Sequence, residues 1–216
     1  MTFGWPEVPI GQLLKRAERF ELRDDLTEYT FAGTYSFGRG IFVGEKKLGV
    51  TFRLPRIQRV KADDFVYCKI MAWEGAFGVV PPEAHGCVLS GAFMVYELDK
   101  TRLDPRYLNY YFKLQKVWEA IGGQSTGTNV RRRSLHPDQF EIATIPLPSL
   151  EEQRRIVARI EELAVKIEEA RRLRREAVEE TEALTRSMRN HELTGAMERY
   201  GAEPMTEVAK CAAGFG

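Results

Sequence analysis

The spacing of apolar and polar positions divides the chain into two parts. Between Glu151 and Arg189, small or apolar residues recur at alternating steps of four and three, which is the spacing of a coiled-coil seam. The seam positions are Ile156, Ile160, Leu163, Ile167, Ala170, Arg174, Ala177, Thr181, Leu184 and Met188. Ten acidic and ten basic residues cover the other faces of this stretch. The pattern predicts one long helix whose narrow apolar stripe needs a second helix to bury it.

The same stripe has an alternative interpretation, in which the helix packs on its own domain. About forty helical residues would span about 60 Å, which is longer than a domain of this size is wide. We therefore expect the helix to extend beyond the globular part. The small or polar seam positions in the middle, from Ala170 to Thr181, weaken the stripe but allow close approach. Leu173 could supply the apolar contact there if Arg174 turns outward.

Before the seam, the sequence pattern changes to short runs of residues that predict strands and turns. From Tyr29 to Val95 the chain is rich in aromatic and β-branched residues, and nine glycines interrupt it. The best strand candidates are residues 51–54, 65–71, 77–80 and 92–98. Pro55 would place a bulge or a sheet edge beside the first of them.

Helices are predicted on both sides of this strand-rich stretch. Ile10, Leu13, Leu14 and Ala17 fall at helical spacing and predict a short amphipathic helix. The pair Asp104-Pro105 predicts the start of a second helix, whose apolar face continues to Trp118 and which ends at Gly122-Gly123. The expected fold class is therefore α+β: a mixed, β-rich domain with packed helices, followed by one long coiled-coil helix.

Composition adds limits to this architecture. The chain has 216 residues, and 44% hydrophobic residues suffice for a core. It has no run of eighteen apolar residues, and residues 1–10 lack the basic-then-apolar order of a signal peptide, so we expect a cytoplasmic protein that does not contact membranes. Three irregularly spaced cysteines, Cys68, Cys87 and Cys211, argue against a disulfide framework.

Charge is distributed unevenly, although the net charge is only +1. Between residues 46 and 61 there are six basic residues and no acidic one, namely Lys46, Lys47, Arg53, Arg56, Arg59 and Lys61. A second cluster, Arg131, Arg132 and Arg133, follows Thr128 and Asn129 in a segment that begins with a glycine. Such groups suit phosphate and base-edge contacts, so these residues are our candidate nucleic-acid contacts.

Less specific interpretations of these residues remain open. The three arginines could equally form ion pairs with the long helix. Tyr35, Phe37 and Trp73 could stack on bases, but core packing is the commoner role of such aromatic residues.

Catalytic patterns are weak by comparison. The glycine-rich stretch from Gly33 to Gly44 lacks the Gly-Lys-Ser/Thr ending of a phosphate-binding loop. His85 and Cys87 lack the paired ligands of a zinc site. The methyltransferase tetrapeptide of Asn or Asp, two prolines and an aromatic residue is also missing. We therefore expect no catalytic residue, no metal and no cofactor in this chain.

The junction between the two parts carries a family resemblance. The run Ile145-Pro-Leu-Pro-Ser-Leu-Glu-Glu-Gln-Arg-Arg-Ile-Val157 leads directly into the heptad helix. It resembles the junction between a target recognition domain and a conserved helix in specificity subunits of type I restriction-modification systems. Upstream segments agree in order and spacing: Trp5-Pro-Glu-Val-Pro-Ile-Gly11, Val60-Lys-Ala-Asp-Asp-Phe-Val66, Leu103-Asp-Pro-Arg-Tyr-Leu-Asn-Tyr-Tyr111, and Gly127-Thr-Asn-Val-Arg-Arg-Arg133 ahead of Phe140.

The resemblance implies a subunit that recognises double-stranded DNA and does no chemistry. In this family each recognition domain contacts one half of a bipartite site, and two helices pack antiparallel between the domains. Methylation (M) subunits that bind S-adenosylmethionine dock on the helices, and a restriction (R) subunit joins them. Residues 1–148 would form the recognition domain, 149–192 the helix, and 193–216 a tail that resembles the start of a second recognition domain.

Typical members of the family carry two recognition domains and two helices, whereas this sequence shows one of each. The missing helix partner implies a homodimer with antiparallel helices, or pairing with another half subunit. Two identical domains would then recognise an interrupted palindrome, with half-sites roughly one and a half to two turns of DNA apart. The alternative function is a coiled-coil protein-interaction module or an inactive, truncated regulator of a restriction complex.

Overall fold

The computed structural model describes residues 4–125 and 133–201, and the chain divides into two compact units. The first unit runs from Met1 to Ile160 and the second from Glu161 to Gly216. The first combines three antiparallel or mixed sheets with short helices, and a long helix begins near its end. The expected α+β class is confirmed.

Three sheets form the framework of the first unit. The smallest pairs β1 (Glu7–Pro9) with β11 (Thr144–Pro146). The four-stranded sheet has the order β2-β10-β7-β8, with β2 at Leu14–Arg16, β7 at Phe65–Cys68, β8 at Phe77–Val79 and β10 at Phe93–Leu98. The five-stranded sheet has the order β3-β6-β9-β4-β5, with β3 at Phe20–Leu22, β4 at Glu28–Thr34, β5 at Ile41–Leu48, β6 at Arg56–Arg59 and β9 at Val88–Leu89.

Helices α1 (Pro105–Lys113), α2 (Gln115–Gly122) and α3 (Pro137–Ile142) pack with these sheets. Phe140 of α3 lies at the centre of the main core, because its ring contacts five other aromatic rings. Those rings belong to Phe65, Tyr67, Phe77, Tyr96 and Phe112, all fully buried or nearly so. A short helix that the sequence pattern did not reveal thus supplies the residue around which the core packs.

Two local predictions were wrong. Residues 10–17 do not form a helix, because Ile10–Gln12 is a 3-10 turn and Leu14 begins strand β2, where it pairs with Leu98. Residues 51–54 do not form a strand. The chain turns there because the Gly49 amide bonds to the Thr27 carbonyl at 2.9 Å, and a Cβ on Gly49 would lie 1.9 Å from the Asp24 carbonyl oxygen.

Two further predictions were right in part. The candidate strand 65–71 ends at Cys68 and continues as a 3-10 helix, which stops at Gly75 in a left-handed conformation. The predicted helix after Asp104 exists, and the Asp104 carboxylate accepts hydrogen bonds from the amides of Arg106 and Tyr107. It breaks into α1 and α2 because Leu114 has an extended backbone.

The proline-rich junction is fixed by backbone pairing. Strand β11 pairs with β1 along its three residues, and the Leu147 amide donates to the Pro6 carbonyl at 2.9 Å. The Tyr107 hydroxyl donates to the Pro146 carbonyl, also at 2.9 Å. The Ser149 hydroxyl then accepts from the Glu152 amide at 3.3 Å, which caps the start of the next helix.

Gln153 connects the start of that helix to the rest of the first unit. Its side chain has no solvent exposure. Its carbonyl accepts from the Asp104 amide at 2.8 Å, and its amide donates to the carbonyls of Arg102 at 2.8 Å and Pro148 at 2.9 Å. One buried side chain therefore satisfies backbone groups on both sides of the junction.

Helix α4 runs without interruption from Leu150 to Tyr200, so the predicted long helix is present and continues past residue 192. In the second unit its apolar residues are exposed, with values of 42% for Leu163, 51% for Ile167 and 62% for Leu184. Ion pairs one turn apart, such as Lys166 with Glu162 at 2.6 Å, occupy its polar faces. Within the described ranges, neither α4 nor any shorter helix is apolar enough over a sufficient length to cross a membrane.

We predict that Gln153→Leu destabilises the first unit by about 2–4 kcal/mol, because one buried and two partly buried backbone groups lose their partners. The measurement is urea unfolding followed by circular dichroism. Gln115→Leu is the matched control, since Gln115 is exposed and bonds only to Glu119 among the described residues. That control should change stability by less than about 0.5 kcal/mol. Equal stability of the two variants would contradict the role assigned to Gln153.

Candidate nucleic-acid interface

The basic stretch 46–61 is spread across the five-stranded sheet and does not lie along one strand. Lys46 and Lys47 lie on β5, which is one edge of that sheet. Arg56 and Arg59 lie on β6, which is next to the opposite edge, and strands β9 and β4 separate the two pairs. Arg53 lies in the connection between β5 and β6.

The two lysines on β5 face solvent. Lys47 lies 3.5 Å from the Glu45 carboxylate and 6.0 Å from the ring centroid of Phe31. Lys46 pairs with Thr30 in the strand register, and its side chain makes no ion pair with a described residue. Edge strands also present unpaired backbone groups. This edge therefore offers cations and hydrogen-bonding groups to a partner.

The arginines of β6 differ from each other. The Arg59 guanidinium bonds to Glu21 at 2.5 and 3.2 Å and to the Gly86 carbonyl at 2.6 Å. Glu21 raises the pKa of Arg59, and these contacts give Arg59 a structural role. Arg56 is exposed and lies 4.9 Å over the ring of Phe20. It remains available to an anionic partner.

The positive charge around Arg53 is lower than the sequence indicates. The turn at residues 49–55 packs on the loop 23–27, through bonds such as that from the Val50 amide to the Asp25 carbonyl at 3.1 Å. That loop carries Asp24 and Asp25, both exposed, and Arg23, whose guanidinium lies 2.7 Å from the Asp25 carboxylate, so the loop adds a net charge of −1. Arg53 and Lys61 are themselves exposed. Acidic residues distant in sequence thus come close to the basic stretch, and only the fold reveals it.

Most of the second predicted cluster lies outside the part of the chain that the structure describes. Thr128, Asn129, Arg131 and Arg132 lie outside the described residues. Arg133 is described and exposed, and nearby the Leu135 amide donates to the Lys69 carbonyl at 3.0 Å.

Tyr35 and Phe37, two of the aromatic residues for which core packing was the expected role, are exposed in the structure. The tip of the β4–β5 hairpin, residues 35–40, carries Tyr35 at 44% exposure and Phe37 at 61%. The Arg39 guanidinium lies 5.1 Å over the Tyr35 ring, and its Nε donates to the Ser36 carbonyl at 3.1 Å. The hairpin tip therefore presents two aromatic side chains and a cation to solvent.

Backbone hydrogen bonds hold this hairpin tip in place. The Phe37 amide donates to the Glu74 carbonyl at 2.6 Å, and the Gly38 amide donates to the Gly75 carbonyl at 2.9 Å. Phe37 has a φ of 65°, a left-handed conformation that costs a non-glycine residue about 1 kcal/mol or more. At Gly38 a Cβ would lie 2.8 Å from the Phe112 carbonyl oxygen, so the close packing there requires glycine. Such strain, held by the surrounding structure, occurs often at binding sites.

Other chemistry is not favoured by the described residues. They contain no group of three or more histidine, cysteine or acidic side chains that could hold a metal ion. Burial raises the pKa of the Cys68 and Cys87 thiols, which makes them poor nucleophiles. The His85 ring nitrogen Nδ1 accepts from the Ala62 amide at 3.2 Å, a contact within the fold. The glycines from 33 to 44 belong to the β4–β5 hairpin.

The edge strand and the tip of the β4–β5 hairpin have the chemistry to contact a nucleic acid. Lysines neutralise phosphates, and aromatic rings and arginine can contact bases. Lys46 and Lys47 lie along its edge, and Tyr35, Phe37 and Arg39 lie at its tip.

Comparison with known proteins finds solved structures that share this fold. No protein-family model matches this sequence, and no curated protein matches it. The structure is similar to the HsdS subunit from Thermoanaerobacter tengcongensis, with a TM-score of 0.67 and 25% identity over 87% of this chain and 49% of that chain. It is also similar in fold to a chain in a structure of the complex assembly and conformational transition of a type I restriction-modification system. There the TM-score is 0.62 and the identity 24%, over 94% of this chain and 52% of that chain.

The chain thus spans about half the length of the solved chains that it matches. The resemblance to specificity subunits of type I restriction-modification systems, inferred from sequence motifs, is confirmed.

We predict that Arg59→Ala lowers stability by about 1 kcal/mol, because the Gly86 carbonyl and Glu21 lose their partner. Arg53→Ala should change stability by less than about 0.5 kcal/mol, since Arg53 is exposed. The midpoints of urea unfolding of the two variants provide the comparison. A larger loss for Arg53→Ala than for Arg59→Ala would contradict the assignment.

Proposed function

We propose that this chain recognises DNA with one target recognition domain and one spacer helix, as part of the specificity subunit of a type I restriction-modification system. The observation that carries the proposal is the fold similarity to an HsdS subunit, which covers most of this chain and about half of that one. Residues 1–148 would act as the target recognition domain and α4 as the spacer helix. The chain would do no chemistry itself.

DNA contact is assigned to the β4–β5 hairpin together with the remaining exposed cations of the predicted set. Lys46 and Lys47 contact phosphates from the edge strand, and the hairpin tip reaches base edges. Arg53, Arg56, Lys61 and Arg133 extend the surface, since each is exposed. Arg59 supports the surface through Glu21. The segment with Thr128, Asn129, Arg131 and Arg132 stays part of the proposal on its sequence alone.

The exposed stripe of α4 supports a homodimer with antiparallel helices. An antiparallel pair centred on Arg172 places Ile156 opposite Met188 and Ile160 opposite Leu184, because the spacing of the seam reads the same in both directions. Leu163 then faces Thr181, and Ile167 faces Ala177, so in these two layers a large side chain meets a smaller one. Such pairs allow close packing of two helices.

Residues beside the seam fit the same register. Leu173 and Val178 are each about half exposed, at 51% and 50%, although both are apolar. In an antiparallel pair, each position that flanks the seam faces the equivalent flanking position of the second helix. Leu173 therefore contacts Leu173 of the second copy, and Val178 contacts Ala164 of the second copy. Lys166 comes beside Glu180 of the second copy, which adds an ion pair of opposite charges. This register covers apolar surface that α4 leaves exposed in the second unit.

A homodimer of this kind implies an interrupted, palindromic DNA site. Pairing with another half specificity subunit would give an asymmetric site instead. The expected protein partners are M subunits, which would bind S-adenosylmethionine and dock on the helices, and an R subunit. These partners follow from the family resemblance.

A second candidate function is a coiled-coil protein-interaction module that does not bind DNA. Two observations favour it: Asp24 and Asp25 lie beside the basic stretch, and Glu21 engages Arg59. The two functions differ in the response of binding to salt, because phosphate contacts release counterions.

We predict that Lys46→Ala with Lys47→Ala weakens binding to duplex DNA. It should also reduce the slope of log affinity against log salt by about two, one for each phosphate that is no longer neutralised. Fluorescence anisotropy between about 50 and 200 mM salt measures both quantities. Lys15→Ala with Lys100→Ala is the control of equal charge change, since these lysines lie outside the five-stranded sheet. If both double variants bind alike, the edge strand is not the DNA contact.

We predict that Ile160→Asp with Ile167→Asp converts the dimer to a monomer of 24.7 kDa, because each charge would be buried in the seam. Light scattering at micromolar concentration measures the mass. Val165→Asp is the control, because Val165 is 68% exposed and lies on the face opposite the seam. It should leave the dimer intact. A monomeric wild-type chain would refute the dimer.

A further inference from the structure

A short 3-10 helix, Lys69–Glu74, presents two apolar side chains to solvent. Its Ala72 is fully buried, whereas Ile70 is 54% exposed and Met71 is 38% exposed. Neither residue belongs to the predicted nucleic-acid contacts or to the hairpin tip. Single exposed apolar residues are common on protein surfaces, so the neighbours of this pair decide whether it has a function.

The C-terminal end of this 3-10 helix holds the hairpin tip. The Phe37 amide donates to the Glu74 carbonyl at 2.6 Å, and the Ser36 hydroxyl donates to the Glu74 carboxylate at 3.0 Å, which engages the acid of this helix within the fold. The Phe37 ring also contacts the Trp118 ring, with centroids 6.1 Å apart. Trp118 in turn packs on Gly75, where a Cβ would lie 2.6 Å from the indole. The hairpin tip and the 3-10 helix therefore form one continuous surface.

The other end of the 3-10 helix lies close in the chain to Arg133. The Leu135 amide donates to the Lys69 carbonyl at 3.0 Å, two residues after Arg133. Gly122, at the end of α2, packs on the middle of the same helix, and a Cβ there would lie 2.2 Å from the Ala72 carbonyl oxygen. Arg133 is therefore held within two residues of the helix that also holds the hairpin tip.

The backbone of the apolar pair is fixed by hydrogen bonds. The Trp73 indole nitrogen donates to the Ile70 carbonyl at 3.1 Å, and the Ala76 amide donates to the Met71 carbonyl at 3.3 Å. The Lys69 amide donates to a strand-side carbonyl, that of Ala92, at 2.9 Å. An ordered backbone of this kind loses little entropy when its side chains contact a partner.

Cations border the apolar pair, which favours an anionic partner. Lys69 belongs to the 3-10 helix itself, and Arg39 and Arg133 are exposed on its two sides. Lys113 is exposed beside the hairpin tip, because a Cβ on Gly38 would lie 3.1 Å from the Lys113 Cα. Apolar contacts surrounded by positive charge are typical of a surface that meets the bases and phosphates of DNA.

The length of the 3-10 helix corresponds to a short run of base pairs. The five steps from Lys69 to Glu74, at about 2 Å each, cover about 10 Å, which is the rise of about three base pairs at about 3.4 Å each. A duplex that contacts both the hairpin tip and Arg133 would therefore pass over Ile70 and Met71.

We infer that Ile70 and Met71 belong to the DNA-reading surface and recognise the 5-methyl groups of thymine in the half-site. Aliphatic side chains form no hydrogen bonds with base edges, and the thymine methyl is the apolar group that the major groove presents. The inference rests on the proposed function and deepens it. The lysines and the hairpin tip would supply charge and hydrogen bonds, and this pair would supply a contact that discriminates one base.

Uracil substitution tests the inference, because uracil is thymine without the methyl group. Duplexes that bind the full wild-type chain are first selected from a random library, and each thymine of the enriched sequence is then replaced by uracil in turn. At one or two positions the wild-type dissociation constant should rise by about fourfold, the effect of one buried methyl group. Ile70→Ala with Met71→Ala should bind the thymine and uracil duplexes equally. Fluorescence anisotropy measures each dissociation constant.

A matched variant controls for the loss of an exposed isoleucine. Ile142 is 72% exposed and lies on α3, outside the surface formed by the hairpin tip and the 3-10 helix. Ile142→Ala should keep the fourfold preference for thymine. Circular dichroism confirms that all variants fold.

The outcomes separate this inference from the function on which it rests. If the library yields no enriched sequence, the proposed function falls and the inference falls with it. If a sequence is enriched but contains no thymine that uracil weakens, the inference alone is overturned. The same holds if the folded double variant still prefers thymine to uracil by about fourfold, whatever its overall affinity.

Discussion

The buried amide of Gln153 joins the segment before α1 to the junction that leads into α4. It bonds to the backbone of Arg102, Asp104 and Pro148, and it lies in the first turn of α4. A buried polar side chain is tolerated only when its hydrogen bonds are made, so this position strongly restricts the local backbone. With β1 paired to β11, the junction is fixed by hydrogen bonds on both sides. The prolines limit the backbone there, and Gln153 selects one arrangement among those that they allow.

Hydrogen bonds to the backbone also fix the hairpin tip in one arrangement. Phe37 has a strained backbone and an exposed ring, and bonds to Glu74 and Gly75 keep the turn in place. A rigid turn loses little entropy when a ligand binds, because it is already ordered. The edge strand that leads from it carries Lys46 and Lys47. This hairpin joins aromatic rings and charge in one element, whereas Arg56 and Arg59 lie apart from it on β6.

Helix α4 differs from the junction and the hairpin tip, because its apolar residues in the second unit are exposed. Charged residues on its other faces stabilise the helix only weakly, by about 0.3–0.5 kcal/mol for each pair. A second helix would bury the stripe, so the proposed dimer follows from this unmet need for apolar cover.

The long helix, the α+β class and the family resemblance could all be derived from the sequence. The heptad spacing from Ile156 to Met188 and the run around Pro146 and Pro148 are local patterns, which can be recognised without knowing the strand order. The division of the basic stretch between the edge strand β5 and the inner strand β6, the Arg59–Glu21 pair and the exposure of Phe37 depended on strand order. Strand order brings together residues far apart in the chain, and no local spacing encodes it. The failed helix at residues 10–17 has the same cause, since pairing of Leu14 with Leu98 overrode a helical pattern.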